Sequence, residues 1–450
     1  MPRRPGLVPP LAAVLAAALL VACDAGPPDA GPPPTTSPPA SSPPASSPPP
    51  PTATAPPAAA DDPLVVVGAA VSPQLRLTAG EAADLVARRG TGQVAGTLAE
   101  VEGRPGVVGV VPLSEVGPTV VAARVDGTDP VRDHSGATTL LVTGDLMLVR
   151  GVPDPTAALA PMRRLLRGAD LTVGNLESTL SLDGEPTQGS DSFGATPALV
   201  RVLRDAGFDA LSLANNHTGD YGPQALRQTV KSLQQSRIRP FGAGDDVVEA
   251  ARPAMLEAGG TTYAFLGFNA IGETPMATAG GPGALSVRMP PRTGPLVEAD
   301  LARVERAVRR AQRQADVVVV LPHWGTQYTH VPEPEQRTVA RRLVAAGADL
   351  VVGGHPHWVQ GVDLVRGVPV LHSLGNFVFD MDGIPAPGGG FMTETMEGVV
   401  LEATFWGAEL KAIRLLPYRM DAGSFAPRRV AGADVLADVW STSTGPFAAG

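Results

Sequence analysis

Six times between Thr138 and Asn376 an apolar run of strand length ends in polar residues, and helical patterns fill the intervals. Residues 139–143 run into Gly144-Asp145, 171–173 into Gly174-Asn175-Leu176-Glu177, and 210–213 into Asn215-Asn216-His217. Residues 317–321 run into His323-Trp324-Gly325, 350–352 into His355-Pro356-His357, and 368–371 into Ser373-Leu374-Gly375-Asn376. Strands alternating with helices (161–167, 196–207, 298–315 and 336–346) specify an α/β sheet protein. In such sheets functional groups gather beyond the carboxyl ends of the strands, so six polar endings predict one shared site.

The chemistry of that rim is consistent. Asp145, Glu177, Asn216, His323, His355 and His357 are expected as metal ligands, and with His217 they include four of the seven histidines. Imidazole, carboxylate and amide oxygen together suit Zn, Mn or Fe better than Mg, for one or two ions. Glu177 has two oxygens with which to bridge. His355 and His357 stand two apart, so an extended backbone would send both rings to one side. His217, beside Asn216, is the expected general acid toward a leaving oxygen. Taken singly, Asp145 reads better as a helix cap and Asn215-Asn216 as a turn; their clustering overturns this in favour of the metal site. Asn175, Asn215, Trp324, Gln360 and Asn376 are expected around the ligands.

Outside this region the chain changes character. Residues 1–23 carry two early arginines, an apolar stretch from Leu11 to Ala22, and then Cys23, the sole cysteine. This is a secretory leader ending in a lipobox-like Leu20-Val21-Ala22-Cys23, which predicts lipidation of Cys23. Residues 24–63 hold 16 of the 48 prolines and no basic residue, so they read as an extended stalk without a core. Residues 64–135 read as a small α/β module, 138–420 as the main domain, and 421–450 as a C-terminal tail. Lipidation would place the folded part on the extracytoplasmic face of the cell membrane.

Composition removes other classes. With 44 acidic against 35 basic residues the formal charge is -9, which argues against a nucleic-acid partner. One cysteine excludes a disulfide scaffold and a cysteine-based zinc site.

The ordered set Gly144-Asp145-Leu146-Met147, Asn175-Leu176-Glu177, Ala214-Asn215-Asn216-His217, Gly242-Ala243-Gly244, His323-Trp324-Gly325, His355-Pro356-His357 with Gln360, and Ser373-Leu374-Gly375-Asn376-Phe377 resembles the CapA family of capsule and poly-gamma-glutamate biosynthesis proteins. The resemblance covers residues 138–420. It implies a four-layer α/β/β/α sandwich of metallophosphoesterase type, here preceded by the small module. Met147 departs from the Asp-x-His start of calcineurin-like phosphoesterases, and a thioether is a poor ligand for such ions. Three functions follow. The first is a membrane-anchored accessory of exopolymer synthesis or export, partnered by an amide ligase or export complex and an anionic polymer. The second is a metal-dependent hydrolase of phosphoesters or polymer amides. The third is an anchored binding module with a vestigial metal site. No Gly-x-x-x-x-Gly-Lys-Ser/Thr loop is present, so ATP-driven ligation would fall to a partner. Arg303, Arg306, Arg310 and Arg313 share a helical face, read as solvated in preference to polymer-binding.

Overall fold

Along the Ala137–Leu146 strand, Leu140 and Val142 point into one core and Leu141 into another. The same alternation runs along Val317–His323, where Val317, Val319 and Leu321 face one way and Val318 and Val320 the other. Both strands are therefore buried on two faces, which is why they read as continuous apolar runs. The computed structural model describes residues 62–385 and 390–448. The expected leader, Cys23 and nearly all of the stalk lie outside the described residues. Among the described residues no helix is long and apolar enough to cross a membrane.

Two sheets result. The larger has eight strands, with Ala137–Leu146, Leu171–Leu176, Ala210–Ser212 and Arg239–Phe241 adjacent and parallel. On its other side the Glu397–Trp406 and Glu409–Met420 strands form an antiparallel hairpin. Asn376–Val378 pairs in parallel with Ala137–Leu146, aligning Asn376 with Asp145. The smaller sheet has six strands, and Thr261–Asn269, Val317–His323, Leu350–Val352 and Val368–Leu371 are parallel at its centre.

Leu140, Val142, Val173, Phe265, Val317 and Val319 share the core between the sheets. The outer face of the larger sheet packs on the Leu199–Ala206 and Gly222–Gln235 helices through Leu203, Leu226 and Leu233. The outer face of the smaller sheet packs on Glu298–Ala311 and Pro334–Ala346. Leu301, Val304, Val308 and Ala311 are the buried stripe of the first of these, at helical spacing. Pro at the start and Gly347 at φ 108° delimit the second. The order helix, sheet, sheet, helix is the four-layer arrangement expected. Arg303, Arg306 and Arg310 do share a face, and with Arg252 they line a surface groove, while Arg313 caps the Arg309 carbonyl.

The N-terminal module is a three-stranded antiparallel sheet with Leu64–Ala69 between Val108–Pro112 and Val120–Ala122. Its Val67, Val111 and Val120 close a core that includes Ala412 and Trp406 of the hairpin. Lys411 Nζ donates to the Ser114 carbonyl at 2.6 Å, and Trp406 Nε1 to Val131 at 2.9 Å. Module and sandwich thus belong to one compact unit, one face of the three strands packing on the hairpin and the other on the Ala79–Ala87 helix. Residues beyond 420, read as a tail, carry the Ala433–Thr442 helix, whose Val435 and Val439 join the intersheet core.

Candidate metal centre

Asp145 ends its strand fully buried, and each carboxylate oxygen has a donor. Asn175 Nδ2 reaches Oδ1 at 2.8 Å and the His355 backbone N–H reaches Oδ2 at 2.9 Å. Gly354 makes this approach possible, since a Cβ there would stand 2.5 Å from Asp145 Oδ1. Asn175 is the hub: its Nδ2 also lies 3.1 Å from Glu177 Oε1 and 3.2 Å from His323 Nδ1. Asn175 itself is held by Asn215, whose Nδ2 donates to its Oδ1 at 2.9 Å and to the Leu176 carbonyl at 2.8 Å.

The six expected ligands converge, but they divide into two groups. Ligand atoms of Asp145, Glu177 and His357 lie within 4.8 Å of one another, a group that could hold a metal ion. His355 sits between, its ring 5.0 Å from that of His323 and 5.8 Å from that of His357, centroid to centroid. His323 and Asn216 instead satisfy each other, Nε2 to Oδ1 at 2.9 Å, and His323 Nε2 is also 3.2 Å from Glu177 Oε1. The expectation of an extended His355-Pro356-His357 is wrong. Both histidines have left-handed backbone, φ 96° and 60°, so a tight turn and not strand alternation brings the rings together. Such conformations cost of order 1–3 kcal/mol per non-glycine residue and gather at functional sites.

Polar accounting tests the fit of a cation. Glu177 Oε2 and both ring nitrogens of His355 are buried without a hydrogen-bond partner. Buried atoms of this kind normally find one. Burial pushes the Asp145 carboxyl up to about 6, and pushes Glu177 well above its usual range with Asp145 adding repulsion. Burial also pushes His323 and His355 well below the usual imidazole value and His357 down to about 4, so these rings are neutral at pH 7. Neutral imidazoles and crowded carboxyls are the state a divalent cation relieves. Nδ1 of His357 is engaged with Asn376 Oδ1 at 2.8 Å, which leaves Nε2 for the ion. The residues fit the group: Asp145, Glu177 and His357 could hold a cation, and the partnerless His355 ring lies beside them.

His217 stands at the rim. Its Nδ1 contacts Asp220 Oδ2 at 2.9 Å, and its ring stacks on Phe193 at 3.9 Å. Asp220 is fixed by the Phe193 N–H at 2.6 Å and by Gln188 Nε2 at 2.5 Å. Arg150 lies 4.7 Å above the Phe193 ring and pairs with Asp380. Sequence reasoning missed Asp220, Phe193 and Arg150; for Asp220 the signal was its place three residues after His217. Two expected neighbours lie elsewhere. Trp324 donates to the His372 carbonyl at 3.0 Å and packs edge-on against Phe268, a core role. Gln360 bonds Gln336 and the Thr329 carbonyl, bracing the loop that leads into the Pro334–Ala346 helix. Met147 is in the helix-side core and contributes nothing to the cleft.

Residues 139–381 match the family described as bacterial capsule synthesis protein PGA_cap. The capsule biosynthesis protein CapA of Bacillus anthracis is 32% identical over 269 residues, 57% of this chain and 64% of that protein. The PGA biosynthesis protein CapA of Bacillus subtilis (strain 168) is 31% identical over 247 residues, 53% of this chain and 62% of that one. A Mycobacterium tuberculosis protein named "Probable polyglutamine synthesis accessory protein" is 31% identical over 222 residues, covering 48% and 57% of the two chains. The chain thus spans less than two thirds of the length of these curated relatives. The matched family segment runs from the Asp145 strand to beyond Asn376 and encloses every ligand of the cleft, and the chain belongs to the family of bacterial capsule synthesis proteins.

Proposed function

We propose that this chain is an extracytoplasmic, lipid-anchored protein that supports the synthesis or export of a capsule-type polyglutamate. The convergence of Asp145, Glu177 and His357 within 4.8 Å carries this reading, because it places a metal-competent cleft inside the family segment. Relatives named for capsule, PGA and polyglutamine synthesis support the substrate class proposed here. Mixed nitrogen and oxygen donors favour Zn, Mn or Fe, as one or two ions. Cys23 would carry the lipid and residues 24–63 the spacing from the membrane. An amide ligase or export complex is the expected partner.

The His217–Asp220 pair favours hydrolysis as the cleft's chemistry. When bound, a divalent ion supplies Lewis acidity toward a phosphoryl or carbonyl oxygen. Asp220 orients the His217 ring, and His217 in its doubly protonated form gives the Nε2 proton to the leaving oxygen or nitrogen. The deciding experiment compares surface polymer in cells making the wild-type chain, the Asp145→Ala chain, or neither. Loss of polymer, or a change in its length, with Asp145→Ala supports the reading. Polymer unchanged in the cells lacking the chain overturns it.

A further inference from the structure

A groove of about 790 Å³ runs between the N-terminal module, the Glu409–Met420 strand and the Ala433–Thr442 helix, and it shares no residue with the metal cleft. Its lining is largely hydrocarbon, from Val71, Val121, Ile413, Leu415, Leu436 and Trp440. It adjoins a second cavity of about 220 Å³, and Gln74, Arg76, Arg414, Leu416 and Arg429 line both. Arg124, Arg132 and Glu402 complete the polar side of the second cavity.

Charge there is out of balance. Arg414 donates to Asp129, and its other amine is 3.4 Å from Glu402. Arg132 lies 3.5 Å from the same Glu402, and Arg124 Nε lies 3.6 Å from the same Asp129. Arg124 Nε is beyond hydrogen-bond reach of that carboxylate and is buried without a partner. Among the described residues Arg76 and Arg429 pair with no carboxylate. Three of the five guanidinium groups therefore share two carboxylates and two have none, on a chain whose net charge is -9. The crowding is felt: burial, then the charges of Arg124 and Arg76, hold the Arg414 guanidinium down at about 10. Half-buried Arg124, Arg132 and Arg414, with exposed Arg76 and Arg429 lining the same cavity, call for an anion, and guanidinium forks match the oxygens of a phosphate.

We infer that this composite groove binds a lipid with a phosphate head, the head among Arg76, Arg124, Arg414 and Arg429 and the hydrocarbon tail along Val121, Ile413, Leu415 and Trp440. A free phosphate would satisfy the arginines and leave the apolar groove open to water. A neutral amphiphile would fill the groove and leave the arginines uncompensated.

The test is calorimetric titration of the full chain with dodecyl phosphate, dodecyl maltoside and inorganic phosphate, the amphiphiles kept below micelle formation. Dodecyl phosphate should bind at least about tenfold more tightly than either control, since only it uses both surfaces. Arg76, Arg429 and Ala437 are exposed, so variants there should fold. Arg76→Ser combined with Arg429→Ser should weaken dodecyl phosphate by about tenfold or more. Ala437→Glu, which places a carboxylate in the apolar part, should weaken dodecyl phosphate and leave inorganic phosphate unchanged. Maltoside or inorganic phosphate binding as tightly as dodecyl phosphate overturns the inference. So does dodecyl phosphate binding that is absent or indifferent to either variant.

Discussion

The metal-competent cleft and the arginine-lined groove are opposite cases of one problem. In the cleft, crowded carboxyls and neutral imidazoles leave buried lone pairs on Glu177 and His355. In the groove, five arginines outnumber two acids and leave a buried N–H on Arg124. The first arrangement asks for a cation and the second for an anion. The difference teaches that the sign of a missing partner can be read from which half of the hydrogen bond, acceptor or donor, is left over.

Removing a ligand should break the contrast most completely. Asp145→Ala should abolish metal retention, as measured by metal content after dialysis, and leave dodecyl phosphate binding unchanged. His217→Ala should lower any turnover by about 10²–10⁴-fold while metal content stays the same, because its role is proton transfer. Turnover that survives this change assigns the acid elsewhere. Asn376→Ala should weaken metal binding by about 10–100-fold, since it frees His357 Nδ1 and with it the ring orientation.

A third network belongs to neither region and calibrates both. Asp363 accepts from Arg337 at 2.5 Å, His372 at 2.9 Å and Thr444 at 2.6 Å. Burial pushes its pKa up, but the His372 contact, Thr444 and the Arg337 charge outweigh it and hold the carboxyl at about 2. A depressed carboxyl stabilises the fold above its unfolded value near 4 and loses that contribution as pH falls through about 2. Asp363→Asn should therefore cost about 2 kcal/mol at pH 7, and the gap from wild type should close below about pH 2 in denaturant titrations.

How much of this was legible follows from what kind of pattern each part writes into the chain. The parallel strands did so plainly, since apolar runs such as 317–321 need no partner to be recognised. Their polar endings located Asp145, Glu177, Asn216 and the histidines for the same reason. The turn at His355 and His357 was not legible, because left-handed backbone at two histidines is imposed by the surrounding packing and has no glycine to announce it. Arg150 meets Asp380 across 230 residues, and the groove gathers arginines from 76 to 429, so neither leaves a local motif. Trp324 and Gln360 share motifs with true neighbours of the site, yet their side chains turn toward the core and a loop.

The bond from the His355 backbone to Asp145 spans 210 residues. At ribosomal speeds of about 5–20 residues per second, the first ligand waits on the order of tens of seconds before its counterpart exists. The cleft is therefore a late product of synthesis. A chain truncated anywhere before the His355 turn lacks the cleft, however much of the earlier sandwich it has built.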